Sequence, residues 1–301
     1  MDAQQIINSR FGVTLVSIIG RMMPPRIGYK FSAFAADQIA SHGNWHIVRG
    51  VRANQWVVCG ENLGGEALHQ AVRATFRNSA LAIFNLYHYV NNPKASQCLI
   101  KPDAVTQELI QRPEYAERGL MLLGLHMSNF DLVLQAMCRR GLKAMALTIP
   151  DPQGGRRLEY EMRKRIGMNL VPASASTMRQ AVRYLQAGGL VLTGIDRPVP
   201  QSNCRPKFFG RPSSLPAHHI HLALKSHVPV MVICAIMQPD EKYHVFASDL
   251  IEMQPHSDRE TEILQNAEKV LNIAEGFIRQ APQQWVMSLP VWPEIVNQIP
   301  T

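Results

Sequence analysis

Nowhere in the 301-residue chain do two cysteines stand at CxxC spacing. The five present (Cys59, Cys98, Cys138, Cys204 and Cys234) are scattered and odd in number, which argues against a disulfide framework or a structural zinc site and fits a reducing compartment. The opening residues, MDAQQIINSR, lack the charged region, apolar run and small-residue cleavage site of a signal peptide. The apolar stretch FGVTLVSIIG, between Arg10 and Arg21, falls short of the ~20 residues needed to span a bilayer. Aromatic residues make up 7% of the chain and are not interleaved with the basic ones, so the stacking platform of a nucleic-acid binder is missing. No serine or cysteine stands in a GxSxG nucleophile elbow. There is no internal repeat, low-complexity segment or obvious interdomain linker.

What is present is apolar content of 46% and a net charge of +8. The first is enough for a large core, read as a single domain over residues 1–301; the second favours an anionic partner, whether nucleic acid, acidic membrane or phosphorylated substrate. Ile7, Phe11, Leu15, Ile18, Ile19 and Met22 recur at helical spacing and are closed by Pro24 and Pro25. Residues 1–30 are thus read as an apolar helix, either buried against the domain or lying in a membrane interface. A second helical pattern, from Leu68 through Phe76 and Ile83 to Val90, reads as core scaffold. From Gly119 onward, short apolar runs (119–125, 143–149, 189–195 and 228–236) alternate with amphipathic segments near 129–139, 156–166, 175–187 and 216–226, and a last helix spans roughly 259–280. This is the pattern of an α/β fold with a central, mostly parallel β-sheet flanked by helices, with a catalytic core over 119–240 and a helical N-terminal extension.

The stretch GLHMSNFDLV places His126 directly after a predicted central strand, with Ser128 or Asn129 as N-cap of the next helix and Asp131 in its first turn. In open α/β sheets the C-terminal strand edge binds ligands, and the helix start offers N–H groups to a developing oxyanion. Asp131 could fix the tautomer of His126 and leave the other nitrogen to act as a base; equally, it is a carboxylate placed to favour a helix dipole. Asp196 and Arg197 end another predicted strand and emerge at the same edge. Arg156 and Arg163, seven apart on one helix face, suit phosphate or oxyanion contacts. The HHIH run at 218–221 lacks partners at metal-ligand spacing, so no metal site is expected.

Together these blocks resemble the bacterial lipid A lauroyl/myristoyl acyltransferase-like family of the lysophospholipid acyltransferase superfamily, which includes phosphatidylinositol mannoside acyltransferases. The resemblance rests on HMSNFD, with four residues between the histidine and the acid, and on the helix end from Arg163 to Gly167. SASTMRQAVRYLQAGG, IDRP, FFGRPSSLPAHHIHLALKSHVPV and PQQWV complete it, in that order, from about Arg10 to Pro293. Two departures stand out: many relatives have Gly-Asn-Trp-Glu where this chain has Ser128 to Asp131, and many carry a full N-terminal membrane span.

The resemblance implies a glycerolipid acyltransferase-like fold and an O-acyltransferase moving a fatty acyl group from acyl-CoA or acyl carrier protein to a glycolipid hydroxyl, without cofactor or metal. The missing span points instead to a peripheral, monotopic enzyme, expected on the cytoplasmic face of the inner membrane and held to an anionic surface. The catalytic residues it implies are His126 as general base, Asp131 orienting it, Arg163 on the oxyanion or a phosphate, and Asp196 supporting the histidine or binding the acceptor sugar. Ser128, Asn129, Arg156 and Arg197 are expected to bind substrate, and Phe208, Phe209 and Gly210 either to close part of an acyl channel or to form a core turn. A thioester hydrolase or a catalytically silent lipid-binding protein of the same fold are the alternatives.

Overall fold

A computed structural model describes Ile18 and residues 20–111, 118–150, 155–199 and 204–299; most of the apolar stripe from Ile7 to Met22 lies outside the described residues. Three helices come first: α1 (Pro25–Ser41), α2 (His46–Val58) and α3 (Gly65–Tyr89). In α1, Gly28, Ser32, Ala36 and Ala40 recur every four positions and form one buried stripe. These small residues bring the backbone close to α3. The Phe84 ring fills the space a Gly28 side chain would need.

The sheet follows, with strands β1 (Ile100–Pro102), β2 (Leu120–Gly124), β3 (Met145–Thr148), β4 (Asn169–Pro172), β5 (Leu190–Gly194), β8 (Val230–Met237) and β9 (Tyr243–Ala247) in the order β1-β9-β8-β2-β5-β3-β4. All pairings are parallel except β8 with β9. A separate antiparallel hairpin joins β6 (Lys207–Phe208) and β7 (Arg211–Pro212). The four apolar runs are present as β2, β3, β5 and β8. β1, β4 and β9 are additional; β1 and β4 form the two edges of the sheet, and none of the three carries a long apolar run.

Side chains of β2 alternate between two cores, as strand geometry requires. Met121 and Leu123 face a cluster built with α8 (Ala175–Gln186), α9 (His218–Ser226) and α10 (Arg259–Gln280). Leu120 and Leu122 face one built with α3 and with α6 (Phe130–Arg139), while α4 (Pro93–Cys98), α5 (Ala104–Gln111) and α7 (Gly155–Arg165) complete the helical set. Gly119, which leads into β2, has φ +71°, and a Cβ there would lie 2.1 Å from the Leu185 carbonyl oxygen. Only glycine permits that entry angle.

After α10 the chain crosses back over the core, burying Trp285, Met287, Val291 and Trp292. Amides of the N-terminal helices hold this tail. Asn54 donates to the Met287 and Leu289 carbonyls at 2.9 and 2.8 Å and accepts from the Val291 N–H at 3.0 Å. Gln55 donates to the Pro282 carbonyl at 2.8 Å and Asn78 to that of Gln283 at 3.1 Å. Helices that precede the sheet and a tail that follows it are thereby joined directly.

Candidate active site

β2 and β5 run side by side with Gly124 opposite Gly194. The second residue past each glycine, His126 and Asp196, therefore leaves the sheet at the same level. His126 donates from Nδ1 to Asp196 Oδ1 at 2.6 Å and from its backbone N–H to Oδ2 at 2.8 Å, and Trp285 Nε1 donates to the same Oδ2 at 2.8 Å. Asp196 is wholly buried. Burial opposes its charge, but the attraction of His126 and these hydrogen bonds outweigh that cost and hold its carboxyl below the usual carboxylate range. An ionised Asp196 places the ring proton on Nδ1, which leaves Nε2 with a free lone pair. Among the described residues Nε2 has no hydrogen-bond partner, and the side chain is 23% exposed toward a cavity that it lines.

Local backbone supports this geometry. Ser128 adopts φ +50° and donates its N–H to the Gln284 carbonyl at 2.7 Å, and the Val286 N–H donates to the His126 carbonyl at 3.0 Å. Residues 284–286 thus run antiparallel to 126–128 and pin the loop. Asn129 caps α6 by accepting the Leu132 N–H at 3.3 Å, while its own amide donates to the Ala82 carbonyl at 2.9 Å. Phe130 stands edge-on to the imidazole, with centroids 4.8 Å apart. Beneath the ring, a Cβ on Gly194 would approach His126 Cε1 to 3.0 Å.

Asp131 has a different task from the one its spacing suggests. Both of its oxygens accept from Arg163, Nε to Oδ1 at 2.9 Å and an Nη to Oδ2 at 2.8 Å, and Gln135 donates to Oδ1 at 3.1 Å. The first turn of α6 directs this carboxylate toward α7, whereas the registered neighbour strand brings Asp196 to the imidazole. Arg163 is correspondingly committed to Asp131. Burial alone would weaken its charge, but the carboxylate more than offsets this and raises its pKa. The pair clamps α7 onto α6.

The other expected site residues divide. Arg197 lines the cavity, as do His218, Pro216 and Thr148. Arg156 belongs to α7, but its side chain is outside the described residues. Phe208, Phe209 and Gly210 do not line the cavity. Phe208 is buried against Trp285 and Trp292, Phe209 lies under the Arg279 guanidinium at 4.6 Å, and Gly210 takes φ +76° in the β6–β7 turn. Aromatic stacking in the core claims these rings, so they form the core turn and not a channel wall. His218 begins α9 and its Nε2 lies 3.2 Å from Thr193 Oγ1, whereas His219 is fully buried. Among the described residues no three His, Cys, Asp or Glu side chains gather as metal ligands would.

The cavity measures about 720 Å³ and opens at the sheet's C-terminal edge. Its walls come from the sheet face under α6, from Leu86 and Tyr87 of α3, from Val133 and Met137 of α6, and from the α7 face bearing Glu159, Tyr160 and Arg163. Ile83, Ile149 and Val199 line it while remaining 47%, 40% and 43% exposed, and so form an apolar lip. A large, mainly apolar cavity with the histidine of a histidine–carboxylate pair in its wall suits a hydrocarbon chain presented to a base.

Residues 4–293 match the model of the bacterial lipid A biosynthesis acyltransferase family. The chain belongs to this family. It is accordingly an acyltransferase that works with an acyl donor and a lipid acceptor, in a family of membrane-associated lipid biosynthesis. Comparison with curated proteins returned no match. Among the described residues of this acyltransferase no helix is long and apolar enough to cross a membrane. The residue absent from the sequence reading is Trp285. It lies 159 positions after His126, and its only prior signal was the PQQWV block together with the rule that a buried indole N–H finds an acceptor.

Two outcomes follow for the acyltransferase. Removing one partner of the buried Asp131–Arg163 pair, as in Arg163→Met, lowers unfolding free energy by about 3 kcal/mol in urea titration. The double variant Asp131→Leu/Arg163→Met loses less than the sum of the single changes; strict additivity would show that the pair is not coupled. Gly194→Ala leaves the circular dichroism spectrum intact and reduces turnover at least ~10-fold, because the ring must move off its productive position. Wild-type turnover in that variant would mean that the tight contact under His126 has no catalytic consequence.

Proposed function

We propose that the chain is an O-acyltransferase that moves a fatty acyl group from an acyl-CoA or acyl-carrier-protein thioester to a hydroxyl of a glycolipid, with His126 as general base and Asp196 as its partner. The observation that carries this reading is the short Asp196–His126 hydrogen bond, with His126 in the wall of a large, mainly apolar cavity. His126 Nε2 takes the proton of the acceptor hydroxyl as its oxygen attacks the thioester carbonyl. The N–H groups at the start of α6, apart from that of Leu132 which Asn129 caps, serve the tetrahedral oxyanion, a role that passes to them because Asp131 engages the Arg163 fork. The carbon–sulfur bond then breaks, and the imidazolium returns its proton to the leaving thiolate. Asp196 stays ionised throughout and stabilises that imidazolium.

Direct transfer is favoured over an acyl-enzyme. Cys234 lines the cavity, but burial pushes its thiol up to about 12, so almost none is thiolate near neutrality. Asp196 sets the low-pH limit of the ionised carboxylate. Its depressed pKa keeps it charged through the ordinary carboxylate range, and its contribution is lost only as pH falls through the lower folded-state value.

The membrane mode follows from α1. Opposite its small-residue stripe, Ile27, Phe31 and Phe34 are 58%, 51% and 62% exposed, and Arg26 and Lys30 flank them on the surface. That pattern supports peripheral docking on an anionic leaflet at the cytoplasmic face, with apolar side chains in the acyl boundary and cations at the headgroups. Ile83 of the cavity lip is adjacent in sequence to Phe84, which packs against Gly28 of α1, so the lip borders the contact between α3 and α1.

Incubating the enzyme with labelled acyl-CoA or acyl carrier protein and glycolipid acceptors tests the chemistry. Label is expected in glycolipid, with His126→Ala reducing transfer by ~10²-fold or more. Label only in free fatty acid would establish a hydrolase, and no turnover a binding protein. For docking, Phe31→Ser/Phe34→Ser is expected to abolish sedimentation with phosphatidylglycerol vesicles while transfer to detergent-dispersed acceptor persists. Unchanged sedimentation would remove α1 from the interface.

A further inference from the structure

We infer that Trp285 is a positioning residue of the dyad: its indole N–H sets the carboxylate of Asp196 and, through it, the imidazole of His126. The inference rests on His126 acting as the base. Three observations carry it. Trp285 is completely buried, and its Nε1 is directed at 2.8 Å to Asp196 Oδ2, the oxygen that also accepts the His126 backbone N–H. Oδ1 is thereby left for Nδ1 alone. Finally, the strip that bears the indole is itself fixed. Gln284 exchanges two hydrogen bonds with the Met237 backbone at 2.8 and 2.9 Å, and the Met127–Trp285 bridge ties it to the histidine loop.

A carboxylate with free oxygens can rotate about its Cβ–Cγ bond and offer either to the ring. Here the two donors on Oδ2 remove that freedom, and the plane of Asp196 follows the indole. The arrangement also explains why a tryptophan occupies the position. A phenylalanine would fill the same core beside Phe208 and Trp292, but it would leave Oδ2 with one donor fewer in a site that water does not reach.

Trp292 supplies an internal control. It is equally buried in the same aromatic cluster, yet its Nε1 has no hydrogen-bond partner among the described residues. Trp285→Phe and Trp292→Phe therefore make the same change in shape, and only the first removes a donor from Asp196. The experiment compares both, together with full-length protein carrying 3-benzothienylalanine at position 285, an isostere of tryptophan that lacks the N–H. Expected for Trp285→Phe and for the isostere is a fall in kcat of about tenfold, the scale of one charge-assisted hydrogen bond, with donor KM nearly unchanged. The acid limb of the pH–rate profile, which reports the coupled His126–Asp196 dyad, moves to higher pH, since loss of the indole donor leaves the carboxylate more basic.

The His126 Nδ1–H proton resonance moves in the same two proteins and not in Trp292→Phe. Should Trp285→Phe fail to fold, the isostere carries the test. A wild-type profile and resonance with the isostere, or equal shifts in Trp292→Phe, would overturn the inference and reduce Trp285 to packing. Retained transfer by His126→Ala would instead refute the base assignment, whatever Trp285 does.

Discussion

The structure depends on keeping one carboxylate charged where water cannot reach it. Asp196 is fully buried, and an isolated carboxylate in such a place would take up a proton. Three hydrogen bonds prevent this, two from His126 and one from Trp285. Each donor imposes a constraint on the fold. The backbone and ring donors of His126 require β2 and β5 to be parallel neighbours in exact step. The indole requires the chain, after α10, to return to the sheet's C-terminal edge. That return leaves the tail's own backbone groups in the core, and the side-chain amides of Asn54, Gln55 and Asn78 satisfy several of them. One buried charge thus accounts for contacts between the two ends of the chain.

A second buried carboxylate lies five residues from His126 and is handled separately. Asp131 is neutralised by Arg163 in a two-pronged bond across α6 and α7. Each carboxylate has its own donor set, Arg163 and Gln135 for Asp131, His126 and Trp285 for Asp196. The division joins Asp196 to the imidazole and Asp131 to the helix–helix contact. Architecture here has a functional consequence, because α7 forms a wall of the apolar cavity and the ion pair holds that wall in place.

Much of this was legible in the sequence, and the exceptions have physical reasons. β2, β3, β5 and β8 announce themselves because buried parallel strands are nearly continuous apolar runs. β1 and β4, three and four residues long at the sheet's edges, have too few buried positions to show a pattern. His126 and Asp196 could both be placed at one sheet edge from their positions after apolar runs. Which acid meets the imidazole could not, because chain spacing favoured Asp131 while strand register, a property of the folded pair, decides for Asp196. Phe208 and Phe209 fail as channel residues for a similar reason. Their sequence shows only that they are large and apolar, and the tryptophans that enclose Phe208 come from the far end of the chain.

Seen from the cavity, the two buried carboxylates solve a problem specific to acyl transfer. A thioester close to an activated base is exposed to water, and hydrolysis competes with transfer unless water is scarce at the reacting carbon. The cavity walls are mainly apolar, its lip is apolar through Ile83, Ile149 and Val199, and Asp196 is sealed beneath His126. An apolar lip of this kind favours the approach of an acceptor carried by a lipid over that of water, and so biases an acyltransferase from hydrolysis toward transfer.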